Sequence, residues 1–166
     1  MRRLAVAGLA GAATVAVVSW AGCSVQPQLI SATEGTTLCV PVNGDGEAYL
    51  GHEVFSNRTG SAVSAAAFVP DQVAGASVVG GYFVPVGEPQ PGVGNDPALI
   101  PHGFTFEPVP PGERVILVLG VNLYDPNLAG QFTGGTLTST SGGELGRSST
   151  GYHMVPAGEV CDMGEE

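Results

Sequence analysis

The run Arg114–Tyr124, RVILVLGVNLY, constrains the fold of this chain more than any other stretch. Its side chains alternate with a period of two, which is the period of a β-strand. One face carries only apolar residues, namely Val115, Leu117, Leu119, Val121 and Leu123. Ile116 and Val118 make the opposite face apolar at its centre. Because both faces then have to be covered, we expect this strand in the middle of a sheet.

The rest of the chain predicts further short strands separated by turns. With Gly 26 and Pro 13 and recurrent Val and Thr, turns and strands are favoured over helices. Further strands are predicted at 36–42, 49–56, 62–69, 75–86, 103–109, 133–140 and 145–155. In 103–109, Phe104 and Phe106 should share one face. The predicted fold class is therefore an all-β sandwich of about seven to eight strands.

Residues 1–22 have the pattern of an export signal. Arg2 and Arg3 precede an uncharged stretch, 4–19, rich in Ala, Val, Gly and Leu, which suits a signal core better than a membrane span. Ala21-Gly22-Cys23 then resembles the lipobox of bacterial lipoproteins. That resemblance implies cleavage before Cys23 and a diacylglyceryl group on its sulfur.

Two other outcomes remain open for this segment. The lipobox prefers Leu three residues before the cysteine, and this chain has Trp20 there. Small residues at Ser19 and Ala21 would also suit ordinary signal-peptidase cleavage and free secretion. An uncleaved anchor, helical in that case, is the third possibility.

The number of cysteines bears on the choice. The chain has Cys23, Cys39 and Cys161. If Cys23 carries lipid, an even pair is left, and exported proteins normally pair their thiols. We therefore expect a Cys39–Cys161 disulfide that ties the first strand to the end of the last.

These features predict a simple domain organisation. A signal peptide, 1–22, precedes a flexible tether, 23–35, a sandwich, 36–162, and an acidic tail, 163–166. Removing the first 22 residues, which include Arg2 and Arg3, leaves 144 residues with three arginines against 15 acids, a net charge of −12. Such a balance argues against nucleic-acid binding and against direct adhesion to anionic lipid headgroups. It keeps the chain soluble by self-repulsion, or serves a cationic partner.

The chain resembles the immunoglobulin-like domains of many small exported bacterial proteins. The resemblance covers about residues 36–161. It depends on the turn Phe55-Ser56-Asn57-Arg58-Thr59-Gly60, on Pro111-Gly112-Glu113-Arg114 leading into a long strand, and on the terminal cysteines. It implies an immunoglobulin-like sandwich and no particular activity. The antibody-type pattern is not met, because the only Trp is Trp20.

The sequence contains residues for two candidate sites, a metal site and a hydrolase site. His153 and Met154 offer the imidazole and thioether ligands that suit copper(I), with His102 or Met163 as further ligands. Against a metal site, adjacent residues of a strand point to opposite faces. A hydrolase would need a site assembled from scattered acids, with Glu53, Asp96 and Asp125 as the first to consider.

The sequence thus predicts an exported protein that is lipid-anchored to the outer face of the cell membrane and acts as a non-catalytic binding or accessory domain. No cofactor is expected, and the partner would be an unidentified envelope protein. A copper carrier and a hydrolase are the two alternatives.

Overall fold

The computed structural model describes residues 27–33, 35–87 and 103–161 of the 166-residue chain. The predicted signal segment, Cys23, Asp96, His102, Met163 and the acidic tail lie outside the described residues.

Eight strands form the described part of the chain. Their bounds are β1 Leu29–Ser31, β2 Thr37–Pro41, β3 Glu47–Asn57, β4 Ala67–Ala74, β5 Ala76–Pro85, β6 Arg114–Leu123, β7 Gly130–Thr138 and β8 Glu144–Val155. The described residues contain no helix. The all-β prediction is confirmed.

The strands make two four-stranded sheets, in the orders β1-β3-β6-β5 and β2-β8-β7-β4. All neighbours are antiparallel except β2 and β8, which run parallel. These are the orders A-B-E-D and C-F-G of constant-type immunoglobulin domains, with the first strand divided between the two sheets. The molecule is therefore an all-β sandwich with the strand order of immunoglobulin-like domains.

The core lies between the inner faces of the two sheets. β6 sits between β3 and β5, as its two apolar faces predict. Its inward side chains, from Val115 to Leu123, pack with Leu50 and Phe55 of β3 and with Phe132 and Met154 of the opposite sheet. Leu117 is 2 % exposed, so its burial contributes about 2–3 kcal/mol.

A second apolar cluster covers the outer face of the first sheet. It consists of Tyr82, Val84, Ile116 and Val118, with Val54 and Phe104 packed against it. Ile116 and Val118 belong to the second face of β6, which the sequence predicts to be apolar at its centre. Sheet one is thus apolar on both sides at its middle.

The segment around Phe104 corrects one prediction. Residues 103–109 do not form a strand, and only Val109 pairs, with Val63. Phe106 packs on the inner core, with its ring 4.9 Å from that of Phe83, whereas Phe104 packs on the outer cluster. The two rings therefore lie on opposite faces of the sheet. Glycines on β5 and β6 make the room, because a Cβ at Gly81 would lie 2.8 Å from Phe106 Cζ.

Two strand boundaries also differ from expectation. β1, at Leu29–Ser31, lies inside the stretch predicted as a tether, so the ordered domain begins earlier. β4 starts five residues later than predicted, because residues 62–66 cross from one sheet to the other. The turns at Asn43–Gly46 and Asn57–Gly60 also lead from one sheet to the other, whereas β7 and β8 pair with each other as a hairpin.

The expected disulfide is present. Cys39, on β2, is bonded to Cys161, which follows β8, with 5.6 Å between the Cα atoms. It spans 122 residues. A loop of that length gives a stabilisation of about 5 kcal/mol at most in the chain-entropy model.

Candidate functional site

The two candidate copper ligands that the structure describes, His153 and Met154, do not come together. Met154 is 0 % exposed in the core between the sheets, whereas His153, its neighbour on β8, is half-buried on the outer face and pairs with Gln131 and Cys39 in register. Alternation along the strand separates them, as expected. No group of three or more His, Cys, Asp and Glu side chains that could hold a metal ion occurs among the described residues.

The two candidate hydrolase acids in the described part of the chain, Glu53 and Asp125, are also far apart. Glu53 lies on the inner face of β3, opposite Leu117 in register, and Asp125 lies in an exposed turn beyond the end of β6. Eight residues of extended chain separate Leu117 from Asp125, which corresponds to roughly 25 Å. Asp125 is held by its own turn, where its Oδ1 accepts from the backbone N–H of Asn127 at 2.9 Å. These two acids cannot act on one substrate group.

Glu53 is nevertheless the centre of a buried polar cluster. Its side chain is 1 % exposed, and it follows a β-bulge between Gly51 and Glu53. Ser31 Oγ of β1 donates to Glu53 Oε1 at 2.6 Å, and Ser148 Oγ of β8 donates to Oε2. The carboxylate therefore links strands of both sheets.

Two further residues of β8 surround this carboxylate. Thr150 is 0 % exposed, and its Oγ1 has no hydrogen-bond partner, while its N–H donates to Ser148 Oγ at 3.3 Å. Burial, and then the nearby charge of Glu53, raise the pKa of Tyr152. Since Glu53, Ser148 and Tyr152 are all under 4 % exposed, the carboxylate of Glu53 is not accessible to a solute. We assign it a role in joining the sheets.

The two ends of the sandwich differ in charge. The C-terminal end, where β3 begins and β6 and β8 finish, carries Asp45, Glu47, Asp125 and Glu159, and no arginine of the described chain lies there. The N-terminal end is where β1 starts beside the end of β3 and the start of β6. Among the described residues, the acids Glu113 and Glu144 and the arginines Arg58 and Arg114 lie there.

Two pockets open at the N-terminal end. One, of about 580 Å³, lies between Pro27–Gln28 and the β7–β8 turn, with Ser139, Ser141 and Glu144 in its wall. The other, of about 340 Å³, is lined by Ser56, Asn57, Arg58, Thr59, Gly112 and Arg114. Sequence reasoning did not identify the second pocket, because its two arginines are 56 positions apart in number. The feature of the sequence that could have indicated this pocket is the small number of arginines in so acidic a chain.

The side chain of Asn57 organises this second pocket. Its Nδ2 donates to the carbonyls of Ser61 and Val109 at 2.8 Å, and its Oδ1 accepts from the N–H of Thr59 at 2.9 Å. Asn57 is 1 % exposed. Asn57-Arg58-Thr59 matches a glycosylation sequon. Because the Asn57 amide is buried and hydrogen-bonded, we interpret this motif as a structural turn and not as a glycosylation site.

The sheet edges are poorly suited to accept another strand. β1 has three residues, and β2 carries Pro41 and the disulfide. β4 contains Pro70, and β5 has an irregularity between Val78 and Gly80. Prolines, short strands and bulges are the usual protection of exposed edges. The loops at the two ends are therefore the more accessible surfaces for a partner.

Comparison of the chain with family models, with curated proteins and with solved structures finds no match in any of the three. Among the described residues, no helix is long and apolar enough to span a bilayer.

Proposed function

We propose that this protein is a lipid-anchored domain of the cell envelope that binds a partner and carries out no catalysis. The observation that carries the proposal is the use of the cysteines. Cys39 and Cys161 are bonded to each other, so Cys23 is the one cysteine left over, in the sequence context of a lipobox. A lipid on Cys23 accounts for all three.

The start of β1 supports an anchor of short reach. Leu29 is the first strand residue and lies six positions after Cys23. Six extended residues span at most about 20 Å. In the proposed arrangement the N-terminal end of the sandwich stays close to the membrane, and the C-terminal end projects from it.

The projecting end suits a cationic partner. Asp45, Glu47, Asp125 and Glu159 lie there without a neighbouring arginine among the residues described. Opposite charge across an interface raises the rate of association. The partner would be a basic surface of another envelope protein, contacted by the turns at Asn43–Gly46 and 124–129.

The intact mass of the mature protein from its native membrane tests the anchor. We expect the mass of a chain that starts at Cys23 with a diacylglyceryl group, and two hydrogens fewer than the reduced form because of the Cys39–Cys161 bond. A Cys23→Ser variant is the matched control, and it should leave the membrane fraction or remain uncleaved. An unlipidated mass beginning at Gly22 would overturn the anchor and leave a secreted protein.

A further inference from the structure

We propose that the pocket between Arg58 and Arg114 binds the phosphate of an anionic phospholipid headgroup. Phosphate binding follows from the pocket itself. Only the source of the phosphate, the membrane beside the anchor, rests on the proposed function. The pocket's volume, about 340 Å³, is within the range of small-molecule sites.

The pocket concentrates the rare positive charge of the chain. Arg58 and Arg114 are two of only three arginines that follow Cys23. Both are exposed, and neither has a carboxylate within 4.0 Å in the described part of the chain. The third, Arg147, is paired with Asp71 at 2.7 Å. Guanidinium groups match phosphate oxygens in geometry as well as in charge.

Among the residues that the structure describes, no acid lines the pocket. The lining between the two arginines consists of Ser56, Thr59, Asn57 and Gly112. Glu113 and Glu144 lie at the same end but not in the wall. Within the described residues their charges balance those of the two arginines, so the attraction of an anion is confined to the pocket.

The backbone that carries the arginines is held in place. The N–H of Gly112 donates to the carbonyl of Asn57 at 2.9 Å, and the N–H of Asn57 donates to the carbonyl of Glu113 at 3.0 Å. The Asn57 side chain adds a hydrogen bond to the carbonyl of Pro110 at 3.1 Å. The turn of Arg58 and the start of β6 are thus tied together before any ligand arrives, which lowers the cost of binding.

The net charge of −12 does not prevent contact with an anionic surface. β8 alone has 12 residues and runs along the sandwich, which makes the domain roughly 40 Å long. The acids of the C-terminal end are thus several Debye lengths, at about 8 Å each, from a membrane at the N-terminal end. Their repulsion is screened, while the pocket is within reach of the headgroups.

Side-chain Nε–H NMR of the arginines tests the proposal on the mature protein in neutral detergent. Addition of glycerol phosphate should shift the signals of Arg58 and Arg114 together, while Arg147 serves as an internal control and stays in place. Arg58→Gln or Arg114→Gln should each weaken binding about fivefold, the equivalent of ~1 kcal/mol per cationic side chain. Arg147→Gln should leave the affinity unchanged.

A second arm identifies the source of the phosphate. In nanodiscs of phosphatidylcholine, which is zwitterionic, the two signals should remain near their detergent positions, and adding phosphatidylglycerol should shift them. Shifts with glycerol phosphate but not with phosphatidylglycerol would overturn the headgroup assignment. An absence of shifts in both arms would overturn the site. The glycerol phosphate arm does not depend on lipid at Cys23, so it separates this proposal from the anchor.

Discussion

Replacing Glu53 tests the buried polar cluster directly. Glu53→Ala removes the acceptor of two hydroxyl groups that differ in their surroundings. Ser31 is half-buried and lies 3.2 Å from the carbonyl of Thr33, so its hydroxyl has another acceptor. Ser148 is 3 % exposed and its hydroxyl donates to the carboxylate alone. The substitution therefore leaves one buried donor without a partner.

The expected loss follows from three contributions. An unsatisfied buried hydroxyl costs about 1–3 kcal/mol, and the truncated side chain leaves a cavity that costs about 2 kcal/mol. Relief of the buried carboxylate offsets part of this sum. We expect Glu53→Ala to lower the free energy of unfolding by about 2–4 kcal/mol. Glu53→Gln, which keeps the volume and can bond both serines, should cost less than about 1 kcal/mol.

Urea unfolding followed by tyrosine fluorescence, with the disulfide intact, measures both variants. A double-mutant cycle with Ser148→Ala isolates the pair. The double variant no longer has a Ser148 hydroxyl that lacks its acceptor, so it should lose less than the sum of the single losses. Equal losses for Glu53→Ala and Glu53→Gln, or strict additivity with Ser148→Ala, would refute the reasoning.

Two further outcomes follow from features of the sandwich. Replacing Cys39 and Cys161 together by Ser should lower the free energy of unfolding by up to about 5 kcal/mol. Wild-type protein with its disulfide reduced should unfold at the same urea concentration as this double variant. A variant with the urea midpoint of the oxidised wild type would contradict the prediction. Burial raises the pKa of Tyr152 in the folded state, whereas an unfolded tyrosine titrates near its usual pKa of about 10. The burial of neutral Tyr152 therefore stabilises the fold fully below pH 10, and this stabilisation is lost as the pH rises above 10. Tyr152→Phe should make the fall in stability above pH 10 shallower by about 1.4 kcal/mol per pH unit, and equal slopes in both proteins would count against it.

The parts of the fold that could be predicted are those that depend on the sequence pattern within a single strand. β6 shows two apolar faces within ten residues, which is enough to place it mid-sheet. The disulfide was predictable because lipidation of Cys23 would leave an even number of cysteines, Cys39 and Cys161. β1 was missed because three residues are too few for a period to be seen, although Leu29 and Ile30 are an isolated apolar pair in a polar stretch.

The remaining errors concern contacts between distant segments. Phe104 and Phe106 alternate like strand residues, yet they straddle a sheet because glycines elsewhere leave room for them. Likewise, nothing near Arg58 in the chain reveals Arg114. Asn57 brings the two together through hydrogen bonds to carbonyls more than 50 positions away. Pairings of this kind are set by the tertiary fold and have no local pattern.

The position of the disulfide also decides how the domain would respond to tension. The chain enters at one end of the sandwich and leaves Cys161 at the other, so a pull on its two termini acts along the strands. Cys39 and Cys161 close everything between them into one covalent loop. Only the residues that precede Cys39, including β1, can be drawn out. From residue 27 to Cys39 the fully extended chain spans roughly 40 Å. The folded chain already covers about 25 Å of this, because Leu29 lies against Gly146 and Cys39 pairs with His153 further along β8. The release therefore adds roughly 15 Å. A tethered molecule under load would lengthen by this fixed amount and then stop, with β3 to β8 still folded.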